Sequence, residues 1–218
     1  MLEKNELLRE IYRILLEYYG PQHWWPGDST FEIIVGAILT QNTSWKNVEK
    51  SIKKLKSEGL LNFDSLLNLK IDDLELMIKH SGFYRQKANR IKEFLNKVKE
   101  NFSDIENMRK EENLRDFLLG IKGIGMETAD SILLYAFEKP FFVVDAYTLR
   151  IFKRIGIIKN ESKNNYEEIR LMVENELNKN INDLKEFHAL LVELGKDHCK
   201  KRPKCDGCPI FSLCSRNI

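Results

Sequence analysis

Every cysteine of this 218-residue chain lies in one sixteen-residue stretch near the C-terminus, at Cys199, Cys205, Cys208 and Cys214. No upstream cysteine exists to pair with them, so they act locally and do not staple distant parts of the fold. Four thiols at C-x5-C-x2-C-x5-C spacing can close around one tetrahedral zinc or one iron–sulfur cubane, and spacing alone does not choose between the two. The same stretch is basic. Residues 196–218 carry six Lys and Arg against two Asp, leaving 29 basic and 31 acidic residues upstream. A basic end on a near-neutral body points to a polyanionic partner.

Upstream, the apolar residues recur with a helical period. Leu8, Ile11, Tyr12, Leu15 and Leu16 follow the i, i+3, i+4 rule, as do Leu114, Phe117 and Leu118, and then Phe187, Leu190, Leu191 and Leu194. The one short strand-like run, FFVV at 141–144, leads directly into helix-like sequence. The pattern predicts an all-α fold. Two breaks interrupt it: GPQHWWPGDS at 20–29, which must be a loop, and EKPFFVVD at 138–145, where the chain is expected to pass between two lobes. No apolar run approaches the ~20 residues of a membrane span, and the first residues lack a signal-peptide pattern. The expectation is a soluble cytoplasmic protein.

The stretch LLGIKGIGMETADSILLYAF, 118–137, sets two apolar helices on either side of a Gly-Ile-Gly turn. Gly123 and Gly125 give the backbone freedom there and let amide groups approach a phosphate, a contact that reads no base sequence. A glycine-capped helix connector uses the same residues. Twenty residues past Gly125, Asp145 opens VVDAYTLRIFKRIG, with Gly156 as a stop. Asp is a favoured N-cap, and a carboxylate at a helix N-terminus stays ionised. Such an anion stabilises a cationic sugar as its glycosidic bond breaks, or orients the attacking water.

Hairpin, aspartate and Cys-rich tail in this order resemble the helix-hairpin-helix (HhH-GPD) DNA glycosylases of the endonuclease III group. The resemblance covers nearly the whole chain. It implies two helical lobes with a DNA-binding cleft: residues 27–140 as a six-helix barrel carrying the hairpin at about 114–136, and residues 1–26 with 141–218 as a second lobe. It also implies a structural [4Fe–4S] cluster on the four cysteines, although the first gap is one residue shorter than in endonuclease III. Lys200, Lys201 and Arg202 would then be presented to the DNA backbone, as would Lys122, Gly123 and Gly125 from the hairpin. Gln41 and Phe83 match the positions that fill the gap left by a flipped nucleotide.

One departure bears on the chemistry. In bifunctional members the second hairpin helix supplies a lysine that forms an imine with the sugar. The matching residue here is Glu127, which cannot, and Lys122 precedes the turn. The chain is expected to be a monofunctional glycosylase with Asp145 and Glu127 as its catalytic carboxylates. The GPQHWWPG loop together with GIGMETAD is similar to the 3-methyladenine DNA glycosylase III branch. This branch implies aromatic walls for a flipped base, here Trp24 and Trp45 with Trp25 and Pro26 beside them. Core packing employs tryptophan as readily, but a flipped base requires flat apolar faces, and those faces favour a cationic ring. The expected substrate is an N-alkylated purine in double-stranded DNA, acted on by a monomer associated with the nucleoid. Three other readings stand beside it: a mismatch-specific glycosylase for adenine, thymine or uracil; an endonuclease III-like glycosylase and lyase; and a non-catalytic Fe–S protein that binds DNA.

Overall fold

A computed structural model describes residues 4–160, 162 and 165–216. Among them every regular element is helical. In chain order the α-helices are α1 (Lys4–Tyr19), α2 (Thr30–Leu39), α3 (Trp45–Ser57), α4 (Phe63–Asn68), α5 (Ile71–Met77), α6 (Tyr84–Phe102), α7 (Ile105–Arg109), α8 (Leu114–Leu119), α9 (Met126–Ser131), α10 (Ala146–Ile155), α11 (Tyr166–Glu176) and α12 (Ile181–Asp197). The chain divides into two compact units, one made of residues 1–24 and 138–218, the other of residues 25–137. No helix among the described residues is long and apolar enough to cross a membrane.

In the unit built from both chain ends, the apolar stripe of α1 packs on α12 and α11, and α10 packs on α12. Leu8, Ile11 and Leu15 are buried, as are Phe187, Leu190, Leu191 and Leu194, so the helical period marks the packed faces. Tyr12 of α1 donates to Asp183 of α12 at 2.9 Å. The FFVV run forms no strand. Its backbone is extended, but the Phe142 amide donates to the Glu174 carboxylate at 2.9 Å and the Val144 amide to the Tyr166 hydroxyl at 3.5 Å. Side chains of α11 thus satisfy amides that a neighbouring strand would otherwise have to pair. Buried Phe142, Val143 and Val144 owe their β-like composition to the core.

In the other unit α2 is buried almost throughout and packs against α3, α6 and α9. Its start is set by Ser29, whose hydroxyl accepts from the Glu32 amide at 3.2 Å. Helices α8 and α9 flank the Gly-Ile-Gly turn and are clamped by an ion pair. Arg115 Nε donates to Asp130 Oδ1 at 2.7 Å and Nη2 to Oδ2 at 3.0 Å, with Asp130 fully buried. The fork geometry satisfies both carboxylate oxygens, which a buried charge requires. Asp130→Ala removes both of these bonds from the Arg115 guanidinium and is expected to lower stability by about 3 kcal/mol in urea unfolding, with Arg115→Ala/Asp130→Ala recovering part of the loss.

Candidate DNA-repair site

The hairpin turn depends on one of its two glycines for its shape. Gly123 has φ +91°, and a Cβ there would come within 2.7 Å of the Arg90 side chain. Gly125 has an ordinary extended backbone, φ −98° and ψ 179°, and a Cβ on it would meet nothing within 4 Å. The freedom expected of both glycines is therefore needed only at Gly123; at Gly125 the missing side chain leaves the surface open. Lys122, Gly123, Gly125 and Glu127 are all exposed or partly so, with Glu127 in the first turn of α9.

Gln41 is tied to this hairpin. Its Nε2 donates to the Gly123 carbonyl at 3.0 Å and to the Thr128 hydroxyl at 2.9 Å, while Arg90 donates to its Oε1. The turn after α2, the middle of α6 and the hairpin thereby share one hydrogen-bonded network, and Arg90 is a member that the sequence did not mark. Phe83 is different. It is 65% exposed and lies in the left-handed region at φ 46°, ψ 31°, a conformation that is strained for a bulky aromatic residue. Nearby in the chain, buried Lys87 donates to the Ser81 carbonyl at 2.5 Å, and burial pushes its ammonium down to about 8.

The tryptophans divide between the units. Trp25 and Trp45 meet edge to face, with centroids 5.2 Å apart at 87°. Both rings pack against Gly36, where a Cβ would stand 3.4 Å from Trp25 Nε1 and 3.5 Å from Trp45 Cη2, ordinary contact distances. Tyr135, 5.2 Å from Trp25, sits in a five-residue π-helical stretch, Ile132–Ala136, that continues α9. Such π segments frequently accompany functional sites. Trp45, expected to oppose Trp24, is thus in contact with Trp25. Pro26 is exposed. Trp24 belongs to the unit made of both chain ends, where the Lys196 ammonium lies 5.2 Å from its ring centroid and is paired with Glu193 at 2.7 Å.

Asp145 is the N-cap of α10, with extended backbone at φ −96°, ψ −177°. Its Oδ1 accepts from the Thr148 amide at 2.8 Å and from the Thr148 hydroxyl at 3.0 Å. Gly156 ends the helix in the left-handed region at φ +90°. The carboxylate is only 14% exposed. Burial acts to raise its pKa, but His188 and the two Thr148 hydrogen bonds outweigh burial and hold it below the usual value. It is a carboxylate kept anionic in a largely dry place.

The four cysteines form no disulfide with one another and line one pocket, together with Arg154 and the apolar side chains of Ile151, Ile155, Leu194 and Ile210. Two arginines of α10 hold the loop. Arg150 donates to the Cys199 carbonyl at 2.7 Å, and Arg154 to the Lys200 and Lys201 carbonyls at 2.6 and 3.0 Å and to Cys199 Sγ at 3.2 Å. Burial pushes the Cys208 and Cys214 thiols up, and the neighbouring thiols add to the shift. The expected ligand set is not seen as such: among the described residues no group of three or more His, Cys, Asp or Glu is disposed to hold a metal ion. The donor chemistry fits a thiolate-bound group nevertheless, since four thiols and a guanidinium that bonds sulfur face one pocket. Of the basic residues beside it, Lys201 and Arg202 are exposed and Lys200 is partly so.

Residues 35–179, which include the hairpin and Asp145, match the HhH-GPD superfamily of base excision DNA repair proteins. A protein of Methanocaldococcus jannaschii, provisionally named a DNA repair glycosylase, is 49% identical over 215 residues, 97% of each chain. The 3-methyladenine DNA glycosylase MagIII of H. pylori, solved with bound 1,N6-ethenoadenine, is 32% identical with a TM-score of 0.76, covering 89% of this chain and 98% of that one. Endonuclease III in a non-covalent DNA complex shares the fold, with a TM-score of 0.84 at 23% identity over 99% of this chain and 97% of the other. This chain belongs to the HhH-GPD family and is a DNA glycosylase of base excision repair, a hydrolase of N-glycosidic bonds.

Proposed function

We propose that the chain is a monofunctional glycosylase that releases N-alkylated purines, 3-methyladenine among them, from double-stranded DNA. The observation that carries this reading is Glu127. It stands in the first turn of the second hairpin helix, where the lyase chemistry of the family needs an amine, and neither α9 nor the π segment after it contains a lysine. Without that amine, water is the nucleophile and the strand stays intact. Asp145 faces the developing positive charge on the sugar, and its lowered pKa keeps it anionic for that task.

Several features support an alkylated purine. The 32% identical neighbour is a 3-methyladenine glycosylase with a modified adenine bound. Trp24 is proposed as one wall of the base pocket, its flat apolar face suiting a flipped base. Trp25, Pro26 and Trp45 are proposed as further pocket walls, with Glu127 adding negative charge for a cationic base. Exposed, conformationally strained Phe83 suits a wedge that enters the duplex. Gln41 would leave its hairpin partners or act from them, and the hairpin residues Lys122, Gly123 and Gly125 would meet the phosphate backbone with Lys200, Lys201 and Arg202. The protein is proposed to act as a monomer on nucleoid DNA. Two carboxylates, an aromatic pocket and a phosphate-facing hairpin make up the machinery.

The four cysteines are proposed to hold a [4Fe–4S] cluster. Bound there, the cluster would order a loop that has too little apolar content to fold alone; the Arg150 and Arg154 hydrogen bonds to Cys199, Lys200 and Lys201 position that loop from α10. Protein purified anaerobically is expected to contain about four irons per chain with visible absorption. A colourless protein carrying zinc would replace the cluster with a tetrahedral site of four thiolates.

The functional reading is tested on duplexes carrying single 3-methyladenine (or its stable analogue), 1,N6-ethenoadenine, hypoxanthine, uracil, thymine glycol, or adenine opposite 8-oxoguanine. Each reaction is resolved with and without alkali. Alkyladenine strands are expected to break only after alkali. Breakage without alkali, or borohydride trapping of a covalent adduct, would overturn the monofunctional assignment, and release confined to mismatches would overturn the substrate. Asp145→Asn is expected to lower base release by at least about 1,000-fold and to bind lesion DNA as tightly as the wild type or more so. Retained base release would remove Asp145 from the chemistry.

A further inference from the structure

A polar side chain packs in the core beside Asp145. His188 is 4% exposed on the packed face of α12, in line with fully buried Leu184, Phe187 and Leu191. An apolar residue of similar size would fill that place without the desolvation an imidazole incurs. The imidazole Nε2 lies 3.7 Å from Asp145 Oδ2. Two aromatic rings fix its plane by their edges: Trp24, with centroids 5.9 Å apart at 73°, and Phe142, at 6.3 Å and 88°. The other oxygen of the carboxylate, Oδ1, is already committed to the Thr148 amide and hydroxyl. The two oxygens are therefore held from different elements, Oδ1 by the start of α10 and Oδ2 by a histidine of α12. Base release by a carboxylate depends on where its charge sits relative to the sugar, and a displacement of about 1 Å is worth on the order of 100-fold in rate.

We propose that His188 is a positioning residue for base release: its Nε2–H is directed at Asp145 Oδ2 and fixes the plane of the carboxylate, while its ring carries the same constraint to Trp24. The separation in the free protein closes by a few tenths of an ångström to a hydrogen bond once substrate is bound, as catalytic contacts commonly do. This inference rests on the reading of Asp145 as the charge-bearing group. No proton is transferred in the step assigned to His188. The histidine keeps one donor in place while Asp145 meets the sugar.

The test compares two substitutions of nearly equal length and volume that differ in the donor, His188→Gln and His188→Met. Single-turnover base release is measured on the duplex whose base the wild type releases, with DNA affinity and melting temperature taken in parallel. His188→Gln is expected to release base within about 5-fold of wild type, and His188→Met about 30- to 100-fold more slowly, both with unchanged DNA affinity. In an Asp145→Asn background, His188→Met is expected to have no further effect, because the two act as one unit. Equal rates for the Gln and Met variants, whether fast or slow, would overturn the positioning role. So would an added loss on top of Asp145→Asn. If the Met variant does not fold, His188→Asn, whose amide ends short of Oδ2, takes its place with the same expectation. Undiminished base release by Asp145→Asn alone, or no release of any base by the wild type, overturns the underlying reading and this inference with it.

Discussion

The unit made of both chain ends depends on one carboxylate that starts a helix. Asp145 caps α10 through Thr148, and what α10 reaches is set by where it begins. Arg150 and Arg154 are five and nine residues further along, and they hold the carbonyls and one sulfur of the cysteine loop. The same helix packs on α12, where a Cβ on Gly195 would overlap the Tyr147 ring. That close approach leaves glycine as the residue that fits. Replacing the cap therefore disturbs more than a charge. An N-cap is worth about 1 kcal/mol, and Asn, which also caps well, removes the charge while leaving the helix start intact.

The unit of residues 25–137 solves a different problem, presenting an exposed turn in one defined shape. Lys122, Gly123 and Gly125 face solvent, while Ile121 and Ile124 of the same turn are buried and anchor it. Polar contacts from behind complete the support. Gln41 bonds the Gly123 carbonyl, Arg90 bonds Gln41 and fills the space a Cβ on Gly123 would take, and Arg115 clamps α8 to α9 through Asp130. Exposed backbone with rigid buried support suits binding to a repetitive polyanion, because contacts to phosphates position a protein without reading sequence.

The helical class was legible because burial follows the 3.6-residue period directly: Leu8, Ile11 and Leu15 are spaced as they pack. The Asp145 cap and the Gly156 stop were legible for the same kind of reason, each being a local interaction with its own residue preference. FFVV at 141–144 misleads in the direction of a strand because β-branched and aromatic residues also suit an extended core segment, and the side chains of Glu174 and Tyr166 that accept from its amides lie more than twenty residues away. Arg90, Tyr135 and His188 were not legible at all. Each matters through a partner 33 to 110 residues distant in sequence, Gly123, Trp25 and Asp145 respectively, and a lone histidine among leucines carries no local signal. The Trp45–Trp25 contact belongs with these. It joins a ring in a loop to a ring at the start of α3, and no local pattern pairs the two.

The electrostatics of Asp145 bear on which base such a site suits. A carboxylate held below its usual pKa by His188 and Thr148 is ionised throughout the neutral range, so it supplies negative charge and no proton. Adenine or thymine leaves a sugar poorly unless a proton or strong hydrogen bonds reach it, whereas a 3-alkylated adenine already carries positive charge and departs neutral as the C–N bond breaks. Charge moves from the base to the sugar as that bond lengthens, and an anion fixed beside the sugar stabilises the later state more than the earlier one, which is the condition for accelerating the step. Holding the anion in a largely dry place strengthens the effect. On the proposed reading, this part of the site does little for a base that must first be protonated, and it is well matched to one that arrives as a cation.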